Sequence, residues 1–229
     1  MVKEDTDISI ELISKLRDKV KERQTAKRFE HTLGVAYTAA CMAFTVKDPD
    51  CENDGNQSHL CRKAPVKEHT SELTANVTPL KAELAGLLHD CAKCYSDKEL
   101  IAMCKHDKVE LTKEELASPQ VIHAKYGAYM AEHEFNIKDP DILNAIRFHT
   151  TGRPDMSTLE KIIFTADYIE PLRDKASNLN EARRLAFTDL DECVYNILEA
   201  TVKYLSSQDA AIVPDTMKAY EWYKELRKH

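Results

Sequence analysis

Nine histidines lie along the 229 residues, and four of them fall where a helix should be apolar. His31 shares a stripe with Val35 and Met42. His89 follows Ala82, Ala85 and Gly86, whose small side chains let another helix approach. His123 lies one turn before Gly127 and in line with Met130, and His149 ends a helix whose inner positions are Ile142, Ala145 and Ile146. Two aspartates are placed alike: Asp90 directly follows His89, and Asp167 stands inside the run from Ile162 to Ile169. An unpaired carboxylate in such surroundings is either very costly or forced neutral, so an aspartate there calls for a cation. A lone histidine on an apolar face is usually a hydrogen-bonded core residue, and an aspartate near a helix end is usually a cap. Six such placements together are harder to explain that way. Imidazole and carboxylate donors in combination suit Fe, Mn, Co or Zn. Cys91 and Cys94 lie beside the group, but they form a lone pair with no second pair at zinc-finger spacing.

The elements that must position these side chains are helical nearly throughout. Ile8, Leu12, Leu16 and Val20 recur every four residues, which predicts an amphipathic first helix. A second should run from about Lys27 to Thr45 with Val35, Ala39 and Met42 inward, and Thr78-Pro79 should start a third through Leu84, Leu87 and Leu88. Ser96–Glu99, Thr112–Glu115, Ser157–Glu160 and Asn178–Glu181 fit capping boxes. Ser118-Pro119 and Asp139-Pro140 add two starts by the cap-plus-proline rule. A long helix is expected from about Asn180 to Leu205, carrying Leu185, Leu190, Val194, Ile197, Leu198 and Val202. A last one opens at Asp215 with Met217, Tyr220 and Leu226. No stretch alternates as a strand does and no repeat is present, so the chain is all-α with about eight to ten helices. Lys47 to Val77 breaks the pattern with Pro49, Gly55 and Pro65 and reads as a loop insertion within one domain spanning 1–229. It carries Cys51, His59, Cys61 and His69 at spacings that fit no standard finger.

Hydrophobic residues make up 43% of the chain, enough for a core. The net charge of −7 argues against a general binder of nucleic acid or anionic membranes, so an anionic ligand needs a local basic site. The longest uncharged stretch, His31 to Val46, is too short and too polar to span a bilayer. The acidic N-terminus lacks the basic and apolar parts of a signal peptide, and an odd count of seven cysteines reads as reduced thiols. A cytoplasmic location is expected.

Four strings narrow the reading: Lys27 to Thr32, Ala85 to Lys93, Ile146 to Pro154, and Glu160 to Pro171. Together they resemble the YqeK-type HD-domain proteins, bacterial symmetrical diadenosine tetraphosphate hydrolases. The similarity covers nearly all of the chain outside Lys47 to Val77. It departs at Cys91, where the family usually has an aromatic residue. The resemblance implies an HD-domain helical bundle with a metal centre between helices. One divalent ion would be held by His31, His89, Asp90 and Asp167, and a second by His123 and His149 with Asp90 bridging. Iron heads the expected metals, with Mn, Co or Zn as alternatives, and the substrate would be a small-molecule dinucleoside polyphosphate. Protein partners are not readable, and a homodimer is left open.

Such chemistry needs metal-activated water and charge withdrawal, because a polyphosphate chain repels nucleophiles. In-line attack at an inner phosphorus would leave two ADP. Asp90 and Lys93 are the expected catalytic residues. Arg28, Lys93, Thr150, Arg153 and Arg173 are the expected substrate contacts, with Glu170 and Arg173 able instead to support the site or the fold. Another HD-domain nucleotide phosphohydrolase (nucleotidase or phosphodiesterase) uses the same donors, and a non-catalytic nucleotide sensor would share the fold.

Overall fold

A computed structural model describes residues 8–45 and 77–228. The inferred insertion at 47–77, with its Cys51, His59, Cys61 and His69, lies outside the described residues apart from Val77. Among the described residues there are eleven α-helices and one short 3-10 turn, and no strand. The helices are α1 (Ile10–Arg23), α2 (Ala26–Thr45), α3 (Pro79–Leu88), α4 (Asp97–His106), α5 (Lys113–Ala117), α6 (Ile122–His133), α7 (Pro140–Phe148), α8 (Thr158–Ile169), α9 (Leu179–Leu185), α10 (Leu190–Ser207) and α11 (Pro214–Leu226). The all-α expectation holds, with slightly more helices than inferred.

Local chemistry sets most of the boundaries. Ser96, Thr112 and Ser157 each accept the amide three residues on, while Glu99, Glu115 and Glu160 reach back, so three of the four inferred capping boxes are formed. The fourth is not. The Asn178 side chain instead donates to Asn196 and accepts the Tyr168 hydroxyl, and α9 starts without a side-chain cap. The inferred helix from Asn180 to Leu205 is also two helices, because Ala186–Asp189 turn the chain and Asp189 caps α10 by accepting Glu192 N–H. In α11 the buried residues are Thr216, Ala219 and Tyr223, while Tyr220 packs partly buried against the core. Tyr223 selects that face by presenting its hydroxyl to Met156 N–H, and Leu226 is left exposed. Ser118-Pro119 opens only a 3-10 turn, Pro119–Val121, which leads into α6.

The core lies where α2, α3, α7 and α8 meet, with α6 laid on α7 and α1 on α3. Val35, Ala39 and Met42 of α2 are fully buried as inferred, facing Leu84, Leu87 and Leu88 of α3. On α1 the buried face is Ile13, Leu16 and Val20, with Leu12 at its edge. Lys81 is drawn into the same region by Asp139 and Asp141 at 2.8 and 3.1 Å, which ties the start of α7 to α3. No helix among the described residues is long and apolar enough to cross a membrane.

Candidate metal centre

Five elements of this core deliver one side chain or more to a common point. His31 comes from the middle of α2. His89 is the C-cap of α3 and Asp90 the next residue, in a stretch of tight turns where Cys91 N–H bonds Leu88 O and Lys93 N–H bonds Asp90 O. His123 opens α6, His149 caps α7, and Asp167 lies in the last turn of α8. All six inferred donors are therefore brought together.

Two sets of these side chains meet at Asp90, and a third group, His89, His149 and Asp167, links them. Asp90 Oδ2 lies 3.8 Å from His31 Nε2 and 3.7 Å from His89 Nε2. Asp167 Oδ1 stands 3.2 and 4.0 Å from the same two nitrogens. Asp90 Oδ1 faces the other way, 3.2 Å from His123 Nε2 and 3.6 Å from His149 Nε2. His31, His89 and Asp90 offer three ligand atoms within 4.8 Å of one another, as do Asp90, His123 and His149.

The tautomers fit a cation at this point. His89 Nδ1 is 2.6 Å from Gly86 O, His123 Nδ1 2.7 Å from Gln120 O, and His149 Nδ1 2.7 Å from Ile146 O. With Nδ1 donating to a main-chain carbonyl three residues back, each of these rings turns Nε2, the acceptor, toward the cluster, where Thr150 Oγ1 also reaches His123 and His149. That is the usual way a protein orients a metal-binding imidazole. His31 Nδ1 is held instead by Glu170 Oε1 at 3.1 Å. His31 Nε2 and His89 Nε2 are buried without a hydrogen-bond partner. A buried lone pair without a donor is costly in an apolar core, and a divalent ion is the group that these two nitrogens and the facing carboxylates lack.

The four imidazoles divide in their protonation: against burial, Asp167 raises the pKa of His31 and Asp90 that of His149, whereas the other two are lowered. Burial pushes His89 down to about 4, so its imidazole is neutral, and burial lowers His123 as well despite Asp90. Burial opposes ionisation of Asp90, but His89, His123 and His149 outweigh it and hold the carboxyl well below its ordinary range. Asp167 is likewise lowered against its burial, with His31 foremost.

Three cations stand against the cluster. Lys93 Nζ stands 3.0 Å from the His123 ring, and burial lowers its pKa. Arg28 donates to Asp90 Oδ2 at 2.8 Å, and Arg173 to Asp167 Oδ1 at 2.7 Å. Thr150 Oγ1 lies 3.0 Å from His149 Nε2. These four inferred substrate contacts are at the cluster. Arg153 is not free in the same way. Its Nε and Nη2 clasp both oxygens of Glu160 at 2.7 and 2.6 Å, and Nη1 donates to Pro154 O. Glu160 is 1% exposed, so the fork serves a buried carboxylate and fixes the turn after His149. We expect Arg153→Ala to lower stability by about 2–3 kcal/mol, somewhat under the loss for a fully buried pair, because Arg153 is partly exposed. Urea unfolding together with KM for the substrate checks this: a raised KM at unchanged stability would return Arg153 to phosphate binding.

Sequence reasoning missed Gln24. Its side chain accepts the buried Thr32 hydroxyl at 2.9 Å and donates to Asp90 O at 3.2 Å, pinning the turn that carries Asp90. A side-chain bond to a main-chain carbonyl leaves no pattern in the sequence that could have revealed it. Cys91, the departure noted above, is buried with its Sγ toward Gly127 O at 3.5 Å, and burial raises its thiol pKa. It packs behind Asp90 as an un-ionised group.

A family model described as HD domain matches residues 28–172. The symmetrical bis(5'-nucleosyl)-tetraphosphatase of Bacillus subtilis (strain 168) is 34% identical over 203 residues, 89% of this chain and 92% of that protein. The protein of the same description from Halalkalibacterium halodurans is 36% identical over 201 residues, 88% of this chain and 91% of that one. Among solved structures, a predicted HD superfamily hydrolase involved in NAD metabolism from Clostridium acetobutylicum superimposes with a TM-score of 0.75 at 31% identity. The match covers 93% of this chain and 97% of that one.

Proposed function

The chain belongs to the HD domain family, and from that membership we propose that it is a metal-dependent hydrolase splitting diadenosine tetraphosphate symmetrically into two ADP. The observation that carries the reading is Asp90, whose two oxygens face two separate histidine pairs. His31, His89, Asp90 and Asp167 would hold one divalent ion, and His123, His149 and Asp90 a second; iron is the proposed metal. The bound ions supply Lewis acidity, which activates water and withdraws charge from the phosphoryl oxygens.

The residues around the donors do the remaining work. Two carboxylates and four neutral imidazoles neutralise only part of the charge of two divalent ions, so the centre keeps positive charge for a polyphosphate. Asp90 and Asp167 orient the donor set. Lys93 stands partly buried beside His123, where a desolvated ammonium is placed to hold the leaving phosphate. Arg28 engages one oxygen of Asp90, and Arg173 one of Asp167 together with its main-chain carbonyl, and their remaining N–H donors would take the flanking phosphates. Water supplies the oxygen that bonds to one inner phosphorus. The bond from that phosphorus to the oxygen shared with the other inner phosphorus breaks, and each half departs as ADP. The single-domain organisation, a cytoplasmic site of action and a free dinucleotide rather than a nucleic acid as substrate belong to the same proposal.

Product analysis tests it. Metal-stripped protein reconstituted with Fe²⁺, Mn²⁺ or Co²⁺ under reducing conditions is expected to release ADP alone from diadenosine tetraphosphate. ATP plus AMP would keep a hydrolase and remove the symmetrical mechanism. No turnover with any of the metals would remove the reading.

A further inference from the structure

His89, His123 and His149 sit at helix ends, where spare main-chain carbonyls orient their rings. His31 cannot be held that way. It lies within α2, whose carbonyls are engaged in the helical ladder, so its Nδ1 depends on Glu170 from beyond α8. Glu170 is 2% exposed and also accepts Leu172 N–H at 2.7 Å. The room for it is made on α2 by Gly34, where a Cβ would stand 2.8 Å from Glu170 Oε2.

The segment that carries Glu170 is gripped from outside the matched HD region. Arg183, on α9, donates from Nε to Ile169 O at 3.1 Å. Its Nη2 donates to Glu170 O at 3.1 Å and to Arg173 O at 2.9 Å. It is half-buried, and among the described residues no carboxylate forms an ion pair with it. A guanidinium applied to three carbonyls of one short loop fixes the path of that loop, since its planar fork allows little rotation. The same loop presents Arg173 to Asp167.

We propose that Arg183 is a positioning residue of the metal centre: it holds residues 169–173 so that Glu170 stands behind His31 and Arg173 beside Asp167. The dependence is one-sided. His31 relies on α9 through Glu170, whereas His89, His123 and His149 are each oriented by a carbonyl three residues back. This rests on reading the cluster as a metal centre.

The test is a Co²⁺ titration of the metal-stripped full chain, followed by visible absorption, with thermal melting run in parallel. Arg183→Ala is expected to weaken Co²⁺ binding by about tenfold, in the range seen when a group supporting a ligand is lost. Arg184→Ala is the control, because Arg184 pairs only with Glu181, and its affinity should match the wild type. The double variant Glu170→Ala/Arg183→Ala should lose less than the two single losses combined, since Arg183 acts in part through the Glu170–His31 contact. If Arg183→Ala does not fold, Arg183→Lys keeps the charge without the fork and should show the same weakening. A lower melting temperature with unchanged affinity, or losses that add in the double variant, would overturn the proposal. Wild-type protein that binds Co²⁺ without hydrolysing the dinucleotide would remove the hydrolase reading alone. Wild-type protein that binds no Co²⁺ would remove the metal centre, and this role with it.

Discussion

Asp90→Ala is expected to lower kcat/KM for diadenosine tetraphosphate by at least about three orders of magnitude, roughly 4 kcal/mol of transition-state stabilisation. Asp90 faces all four histidines, Oδ2 toward one pair and Oδ1 toward the other, so one truncation strips a donor from each half of the cluster. It also releases Arg28 from its 2.8 Å bond, leaving a loose cation beside the cluster. The helices should survive. The turn at Asp90 is held through its main chain, by Gln24 Nε2 and by Lys93 N–H bonding its carbonyl, and neither bond needs the carboxylate. Turnover, bound metal after reconstitution and far-UV circular dichroism measured on one preparation check this. Activity within tenfold of wild type would refute the assigned site.

The second large effect is expected away from any donor. Gly86→Ala should destabilise the protein by roughly 2–3 kcal/mol, the usual cost of overpacking a tight core. A Cβ at Gly86 would stand 2.8 Å from Ala36 Cα, 3.1 Å from Ala36 N and 3.3 Å from the Val35 carbonyl carbon. These are backbone atoms of a helix and cannot rotate aside, so α2 and α3 must separate. The small gain in helix propensity from alanine, about 1 kcal/mol, offsets part of the cost. For a chain of this size the melting temperature should fall by about 5–10 °C. Metal affinity should fall too, because His89 is anchored on Gly86 O and His31 rides on the helix that is displaced. Gly127→Ala is the contrast: a Cβ there meets its neighbours at 3.5–3.6 Å, ordinary contact, and stability should hardly change. Equal melting temperatures for the two variants would contradict the argument.

The residues that could be read from the sequence are those whose burial conflicts with their chemistry. His31, His89, His123 and His149 stood out because apolar spacing placed imidazoles inward, and Asp167 because hydrophobic residues surround it. Serine or threonine followed by glutamate marked three helix starts for the equally local reason that both halves of the box lie within one turn. What escaped depends on distance along the chain or on main-chain partners. Arg183 and Gln24 bind carbonyls, which every residue possesses. Arg153 follows the glycine turn after His149, where a phosphate-binding arginine would also stand, and only the fold shows Glu160 returning beneath it. The break at Ala186–Asp189 contains no glycine or proline, so the apolar period runs through it and only the Asp189 cap marks it.

Because the six side chains come from α2, the turn after α3, α6, the end of α7 and α8, no single helix contains a usable half of the proposed centre. Ion occupancy and folding are thus two faces of one equilibrium: an ion that binds only the assembled helices stabilises them in proportion to the logarithm of its concentration. At a hundred times its dissociation constant the gain is about 2.7 kcal/mol. Metal starvation would then cost the cell more than activity. It would leave a polypeptide with a thinner margin against unfolding and proteolysis, so the amount of this protein would itself follow the supply of its ion.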